Sequence, residues 1–205
     1  MTETYAIGDI HGEVTLLRQL LSMIPFKQQD TLVFLGDYLD RGEDSIATIR
    51  ELQALQDRHP SSIFLRGNHE DAWLDCWDGR RFLRAPDIDG AIEIWQDCDE
   101  HIPAEIGYWL AETRIDYEDE HAYYVHAGLK PAPPRRTPPF FKMWGVREFL
   151  DSPYNWGKPV VFGHWSMEEP LIQPNKIGID TGAYESGVLT ALRLPDRQLF
   201  QAHRT

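Results

Sequence analysis

Asp9, His11, Asp37, Asn68, His69, His126 and His164 are scattered along the chain, yet each lies just beyond a short apolar run. Their types suit one kind of chemistry. Asp, His and Asn without Cys favour hard or borderline divalent ions such as Mn²⁺, Fe or Zn²⁺. Six such groups, leaving His69 aside, exceed what one tetrahedral ion needs. Two ions sharing a bridging carboxylate would use them all. Ions roughly 3.5–4 Å apart clamp a phosphoryl group and lower the pKa of a water between them. Asn68 adds a neutral oxygen, which limits the negative charge of the site. Taken singly, an Asp after a strand is usually a turn residue or helix cap, and a lone His is usually structural. Five coincidences in one chain reverse that judgement. Gly8, Gly36, Gly67 and Gly163 each precede a candidate ligand, where glycine lets the backbone turn sharply and approach an ion.

Elements of fixed geometry must bring these residues together. The spacing predicts strands over Tyr5–Gly8, Thr31–Leu35 and Ile63–Leu65, each stopped at or near a glycine. Between them, Leu17, Leu20, Leu21 and Ile24 recur at helical spacing up to Pro25. Ile46, Ile49, Leu52 and Leu55 do so before Pro60. Alternating strands and helices imply right-handed crossovers and a parallel sheet between helices. Ligands bind beyond the carboxyl ends of such strands, which is where the candidates fall. Asp9 and His11, two apart, would point the same way from extended backbone.

The remainder is less regular. Asp71–Glu120 is rich in acids and Trp and reads as a helical excursion, a cap over the site or a solvated face. Its Trp73 and Trp77 are expected to pack inward, leaving Arg80, Arg81 and Arg84 in water. Pro131–Pro139, with five prolines and two arginines, reads as an extended connector. Ala122–Val125, Val160–Phe162, Lys176–Ile179 and Val188–Leu194 read as short strands. Their tight turns favour antiparallel pairing. Residues 1–205 form one expected domain, with the excursion near 71–120.

Composition narrows the partners. The 205 residues are 42 % apolar, with seven Trp, enough for a substantial core and against disorder. A net charge of -13 repels polyphosphate backbones and argues against nucleic acid as a partner. Cys76 and Cys98 match no zinc spacing and are expected to be free thiols. The N-terminus has no signal-peptide pattern, and no run of about 18 apolar residues suggests a membrane span. A soluble, cytoplasmic protein without membrane partners is expected.

Asp9-Ile10-His11-Gly12, Gly36-Asp37-Tyr38-Leu39-Asp40-Arg41-Gly42 and Arg66-Gly67-Asn68-His69-Glu70 resemble the signatures of calcineurin-like metallophosphoesterases. They are most similar to the serine/threonine phosphatase (PPP) branch and its bacterial relatives. Val125-His126-Ala127-Gly128-Leu129 and Phe162-Gly163-His164 supply the later motifs in the family's order. The resemblance implies an α/β fold, a four-layer α/β/β/α sandwich with mixed sheets and a dinuclear centre at one edge. It implies two divalent ions, Mn²⁺ first, with Fe or Zn²⁺ sharing the same ligands. Asp9 and His11 would hold the first ion, Asp37 would bridge, and Asn68, His126 and His164 would hold the second. A hydroxide bridging the ions would attack phosphorus. His69 would protonate the leaving oxygen, oriented by Asp40. Arg41 and Arg66 would bind the phosphate, with Arg147 resembling a third phosphate arginine of the bacterial enzymes.

The expected substrate is a phosphate monoester, a phosphoserine or phosphothreonine protein or a small phosphate ester. Asp40 orients the acid that a poor alkoxide leaving group needs, and Arg41 with Arg66 suits a terminal dianion. Diadenosine tetraphosphate or another nucleotide is the alternative. A non-catalytic phosphate-binding module on the same fold is the reading from another class. Asp180-Thr181-Gly182 resembles one half of an aspartic protease site, but only one copy is present and such sites need two carboxylates. Asp180 is expected as a turn residue beside the site. The oligomeric state is not legible in the sequence.

Overall fold

The computed structural model describes residues 2–204. β1 (Thr4–Ile7), α1 (Val14–Met23), β2 (Thr31–Phe34), α2 (Ser45–Arg58) and β3 (Ile63–Phe64) follow the expected alternation. The chain then turns through α3 (Asn68–Asp75), α4 (Ala91–Asp97) and α5 (Ala104–Ala111). β4 (Asp116–Glu118), β5 (Tyr123–Val125), α6 (Pro139–Trp144), α7 (Glu148–Asp151) and β6 (Val160–Phe162) come next. β7 (Leu171–Ile172), β8 (Lys176–Gly178), α8 (Ala183–Ser186), β9 (Val188–Leu194) and β10 (Gln198–His203) complete the fold.

Two five-stranded mixed sheets face each other. One runs β10-β9-β1-β2-β3, the other β4-β5-β6-β8-β7. β1, β2 and β3 pair in parallel, as the alternation implies. Side-chain alternation along each strand divides the core. Tyr5, Ile7, Leu32 and Phe34 pack with Leu17, Leu20, Ile49 and Leu52 of the helices. Ala6, Val33 and Leu35 face Tyr124, Val161 and Ile177 of the second sheet. Phe162 and Val160 cover the far side with Phe149 of α7. Each buried Val, Leu, Ile or Phe among them contributes about 1.5–3 kcal/mol. The result is the expected α/β/β/α sandwich. The first sheet is therefore covered by helices on one face and by the second sheet on the other, not by helices on both.

Two expectations change, and a third is borne out. β5, β6 and β8 are parallel, against the expected antiparallel pairing, which holds for β9 with β1 and β10. Buried on both faces, the three parallel strands run together in one direction and deliver their carboxyl ends to one place. The proline-rich stretch holds a 3₁₀ turn at Pro134–Arg136, and Pro139 opens α6. A first-turn proline lacks only an N–H that would be unsatisfied anyway. The 71–120 segment is anchored, since Trp73, Phe82, Ile102, Ile106 and Trp109 join the main core. Arg80, Arg81 and Arg84 are exposed, as expected.

Candidate metal centre

β1 delivers Asp9 and His11, β2 Asp37, β3 Asn68 and His69, β5 His126 and β6 His164. His11 does not extend the strand. It has φ 46°, and Asp37, Asp40, Arg41 and His164 also have positive φ. These five are among eight such non-glycine residues in the described chain, so backbone strain is concentrated here. Hydrogen bonds hold the strained loop. The Glu70 carboxylate accepts from the N–H groups of Asp37, Tyr38 and Gly67, each at 2.8 Å. Ser45 Oγ accepts from Asp40 N–H at 2.9 Å. Burial and then the Asp37 charge push Glu70 up to about 8, against the pull of those N–H groups. Gly67 and Gly163 are required by proximity, since a Cβ on them would overlap Asp37 Oδ1 and Asp9 Oδ1.

The two oxygens of Asp37 face different partners. Oδ2 lies 3.4 Å from His11 Nε2 and 4.0 Å from His69 Nε2, whereas Oδ1 lies 3.4 Å from His126 Nε2. His11, Asp37 and His69 form one cluster able to hold an ion, and Asp37, His126 and His164 form another. Asn68 Oδ1 sits 3.0 Å from His126 Nε2 and 2.8 Å from His164 Nδ1.

The donor set fits cations. His126 Nδ1 donates to Leu35 O at 2.9 Å and His11 Nδ1 to Leu39 O at 3.0 Å. Those bonds leave each Nε2 as a lone pair aimed inward. The His126 lone pair then faces acceptor oxygens of Asn68 and Asp37, an arrangement that a shared cation reconciles. Burial keeps the imidazoles neutral, with His11 lowered to about 3, His164 to about 4 and His126 also lowered. Asp37 is buried, yet four imidazoles hold it well below the ordinary carboxylate range. Asp9 lies outside both clusters. Its Oδ2 accepts from His164 N–H at 2.8 Å, while its buried Oδ1 has no partner among the described residues. Burial, then the Asp180 and Asp37 charges, raise Asp9 well above its usual value, as expected of a carboxylate awaiting a cation.

His69 and Asp40 form a buried pair. His69 Nδ1 donates to Asp40 Oδ2 at 2.6 Å. Against the effect of burial, the Asp37 charge and the Asp40 bond raise His69. Its Nε2 is buried and has no partner among the described residues, so a proton can be presented there. Trp73 Nε1 donates to Asp40 Oδ1 at 3.0 Å, giving that indole a role beyond packing.

The arginines separate. Arg41 Nη1 lies 3.1 Å from His11 Nε2, and its guanidinium sits 5.0 Å over the Tyr184 ring. Arg66 does not join it. Its Nη2 donates to carbonyls of Ala111 at 3.1 Å, Thr113 at 3.3 Å and Leu110 at 3.4 Å, and its Nε to Thr113 Oγ1 at 3.1 Å. Carbonyls at a helix C-terminus lack intrahelical donors. Arg66 supplies them at the end of α5, which corrects the expected two-arginine clamp. Arg147 is exposed, two residues beyond Gly145, whose Cβ position would be 3.3 Å from His164 Nε2.

The family model for calcineurin-like phosphoesterases matches residues 3–184. The chain belongs to that family. A symmetrical bis(5'-nucleosyl)-tetraphosphatase of Janthinobacterium sp. (strain Marseille) is 28 % identical over 268 residues, covering 97 % of this chain and 95 % of the relative. That span exceeds the 205 residues of the chain, so the relative carries insertions. The asymmetrical tetraphosphatase PrpE of Anoxybacillus flavithermus is 27 % identical, with coverage of 94 % and 90 %. A crystal structure described as a candidate diadenosine tetraphosphatase has TM-score 0.77 at 24 % identity, covering 100 % of this chain and 94 % of that one. A protein serine/threonine phosphatase of Saccharomyces cerevisiae has TM-score 0.70 at 14 % identity, covering 100 % and 80 %. The two structures share the fold. Among the described residues no helix is long and apolar enough to cross a membrane.

Glu70, Trp73, Tyr184 and Asp180 complete the surroundings. Glu70 lay inside a quoted motif without a role. Asp180 accepts from Gly182 N–H at 2.8 Å, the turn residue beside the site that was expected; it is buried and raised to about 6, first by burial. Tyr184 had no sequence signal.

Proposed function

We propose that this metallophosphoesterase cleaves dinucleoside polyphosphates. The observation that carries the metal chemistry is Asp37, whose two oxygens face separate imidazole groups. In this reading Asp9, His11 and Asp37 hold one divalent ion, and Asp37, Asn68, His126 and His164 hold the other. The ions supply Lewis acidity and an ionisable water. Arg41 steadies the phosphate with its guanidinium fork, and the exposed Arg147 would assist it. His69 gives the proton on Nε2 to the departing oxygen, and Asp40 fixes the ring. Glu70 holds the Asp37 loop so that both carboxylate oxygens stay aimed.

The substrate class rests on the relatives named bis(5'-nucleosyl)-tetraphosphatases, which align along almost the whole chain. Loss of Arg66 from the clamp removes one motive for preferring a terminal dianion. The His69–Asp40 bond favours the monoester reading, since an alkoxide needs an acid more than a polyphosphate does. The test is kcat/KM for diadenosine tetraphosphate against a phosphothreonine peptide under one Mn²⁺ condition. An advantage of about tenfold or more for the dinucleotide, worth ~1.4 kcal/mol, is expected. The same advantage for the peptide would overturn the proposal.

A further inference from the structure

A cavity of about 540 Å³ opens beside the metal centre, within the roughly 300–1,000 Å³ typical of small-molecule sites. Arg41 and Tyr184 belong to both. Arg41 lies against His11, and the Tyr184 ring meets the His11 ring edge-on at 5.4 Å. Beyond Arg41 the lining changes character. Ile94 is half-buried, and Glu93 and Asp97 stand on the same helix, α4. Four residues apart, those two carboxylates share a face. Neither has a hydrogen-bond or ion-pair partner among the described residues. Asp89, by contrast, is engaged by Arg41 Nε at 3.1 Å.

We propose that this cavity receives a nucleoside end of the substrate; the inference rests on the dinucleotide reading above. Positive charge at Arg41, and at the metal centre once ions are bound, would give way to negative charge at Glu93 and Asp97. That gradient keeps phosphates at the metals and turns an uncharged end into the cavity. Tyr184 and Ile94 offer a base an aromatic and an aliphatic wall. Glu93 and Asp97 accept from ribose hydroxyls, as acidic residues do in nucleotide sites. A molecule with an anionic centre and neutral ends matches this layout. A chain of bare phosphates does not.

The test compares kcat/KM for diadenosine tetraphosphate and for p-nitrophenyl phosphate, which reaches only the metal centre, in Mn²⁺-loaded wild type, Glu93→Gln and Ile94→Trp. The readout is the ratio of the two values. Glu93→Gln keeps an acceptor but loses its charge and should lower it about five- to tenfold, the difference between a charged and a neutral acceptor. Ile94→Trp, which fills the cavity, should lower it at least as far. Adenosine alone, titrated by NMR, should bind wild type and bind Ile94→Trp about tenfold more weakly. Ratios within twofold of wild type, or adenosine affinity unchanged by Ile94→Trp, would sink the cavity assignment while leaving dinucleotide cleavage intact. Failure of wild type to cleave the dinucleotide would instead remove the substrate reading and the cavity assignment with it.

Discussion

Replacing His69 by Asn separates acid catalysis from metal binding. His69 is fully buried. Its Nδ1 makes the 2.6 Å bond to Asp40, and its Nε2 has no hydrogen-bond partner among the described residues and stands 4.0 Å from Asp37 Oδ2. If Nε2 serves the leaving group, the variant keeps its ions and loses proton transfer. General acid catalysis is worth about 10²–10⁴-fold, or ~2.7–5.5 kcal/mol in the barrier. The loss should reach the upper end for an alkyl phosphate. It should fall to the lower end or below for diadenosine tetraphosphate and p-nitrophenyl phosphate, whose leaving groups are less basic. The Asn amide keeps a donor where Nδ1 stood, toward Asp40, but gives up the packing of the buried ring, about 1.5–3 kcal/mol. At this chain length each kcal/mol moves Tm by roughly 2–4 °C, so a fall of about 3–12 °C is expected. Steady-state kcat with the three substrates, elemental analysis and a thermal scan measure all of this. An equal kcat loss for all three, or departure of one ion, would refute the acid role. Departure would make His69 a ligand, which its place beside His11 and Asp37 also permits.

Three further perturbations probe the same architecture. Asp37→Asn should deplete metal more than a change at His11 or His164, because each oxygen of Asp37 faces a different cluster; two ions at full occupancy would exclude bridging. Gly163→Ala would drive a methyl into Asp9 Oδ1 and should cost about 1–3 kcal/mol together with metal affinity, seen as a lower chelator concentration for half-inactivation. Lys176 is buried, and its Nζ donates to the carbonyls of Phe149, Leu150 and Ser152 at 2.8, 2.5 and 2.9 Å. Lys176→Met should therefore lose about 2–4 kcal/mol in denaturant unfolding; a loss below about 1 kcal/mol would show that water replaces the ammonium.

The sequence by itself determined the metal-competent residues and the strands that carry them. Asp9, Asp37, Asn68, His126 and His164 each lie just past an apolar run, and ligand type depends on residue identity alone. The first three strands and two helices were legible because hydrophobic period is a local property. Pairing direction in the second sheet was not. A three-residue apolar run such as Val160–Phe162 fits either direction, and only burial between two layers settled β5, β6 and β8 as parallel. Arg66 shows the same limit at the site. Its motif position suggested a phosphate clamp, but the end of α5, more than forty residues later, supplies carbonyls that claim the guanidinium. Tyr184 and the cavity beside Arg41 were equally invisible, since they arise where α8, α4 and the Asp37–Arg41 loop meet. Residue types and local periods are written along the chain. Which donor meets which acceptor across the fold is decided by packing, because those partners are adjacent only after the two sheets have closed on each other.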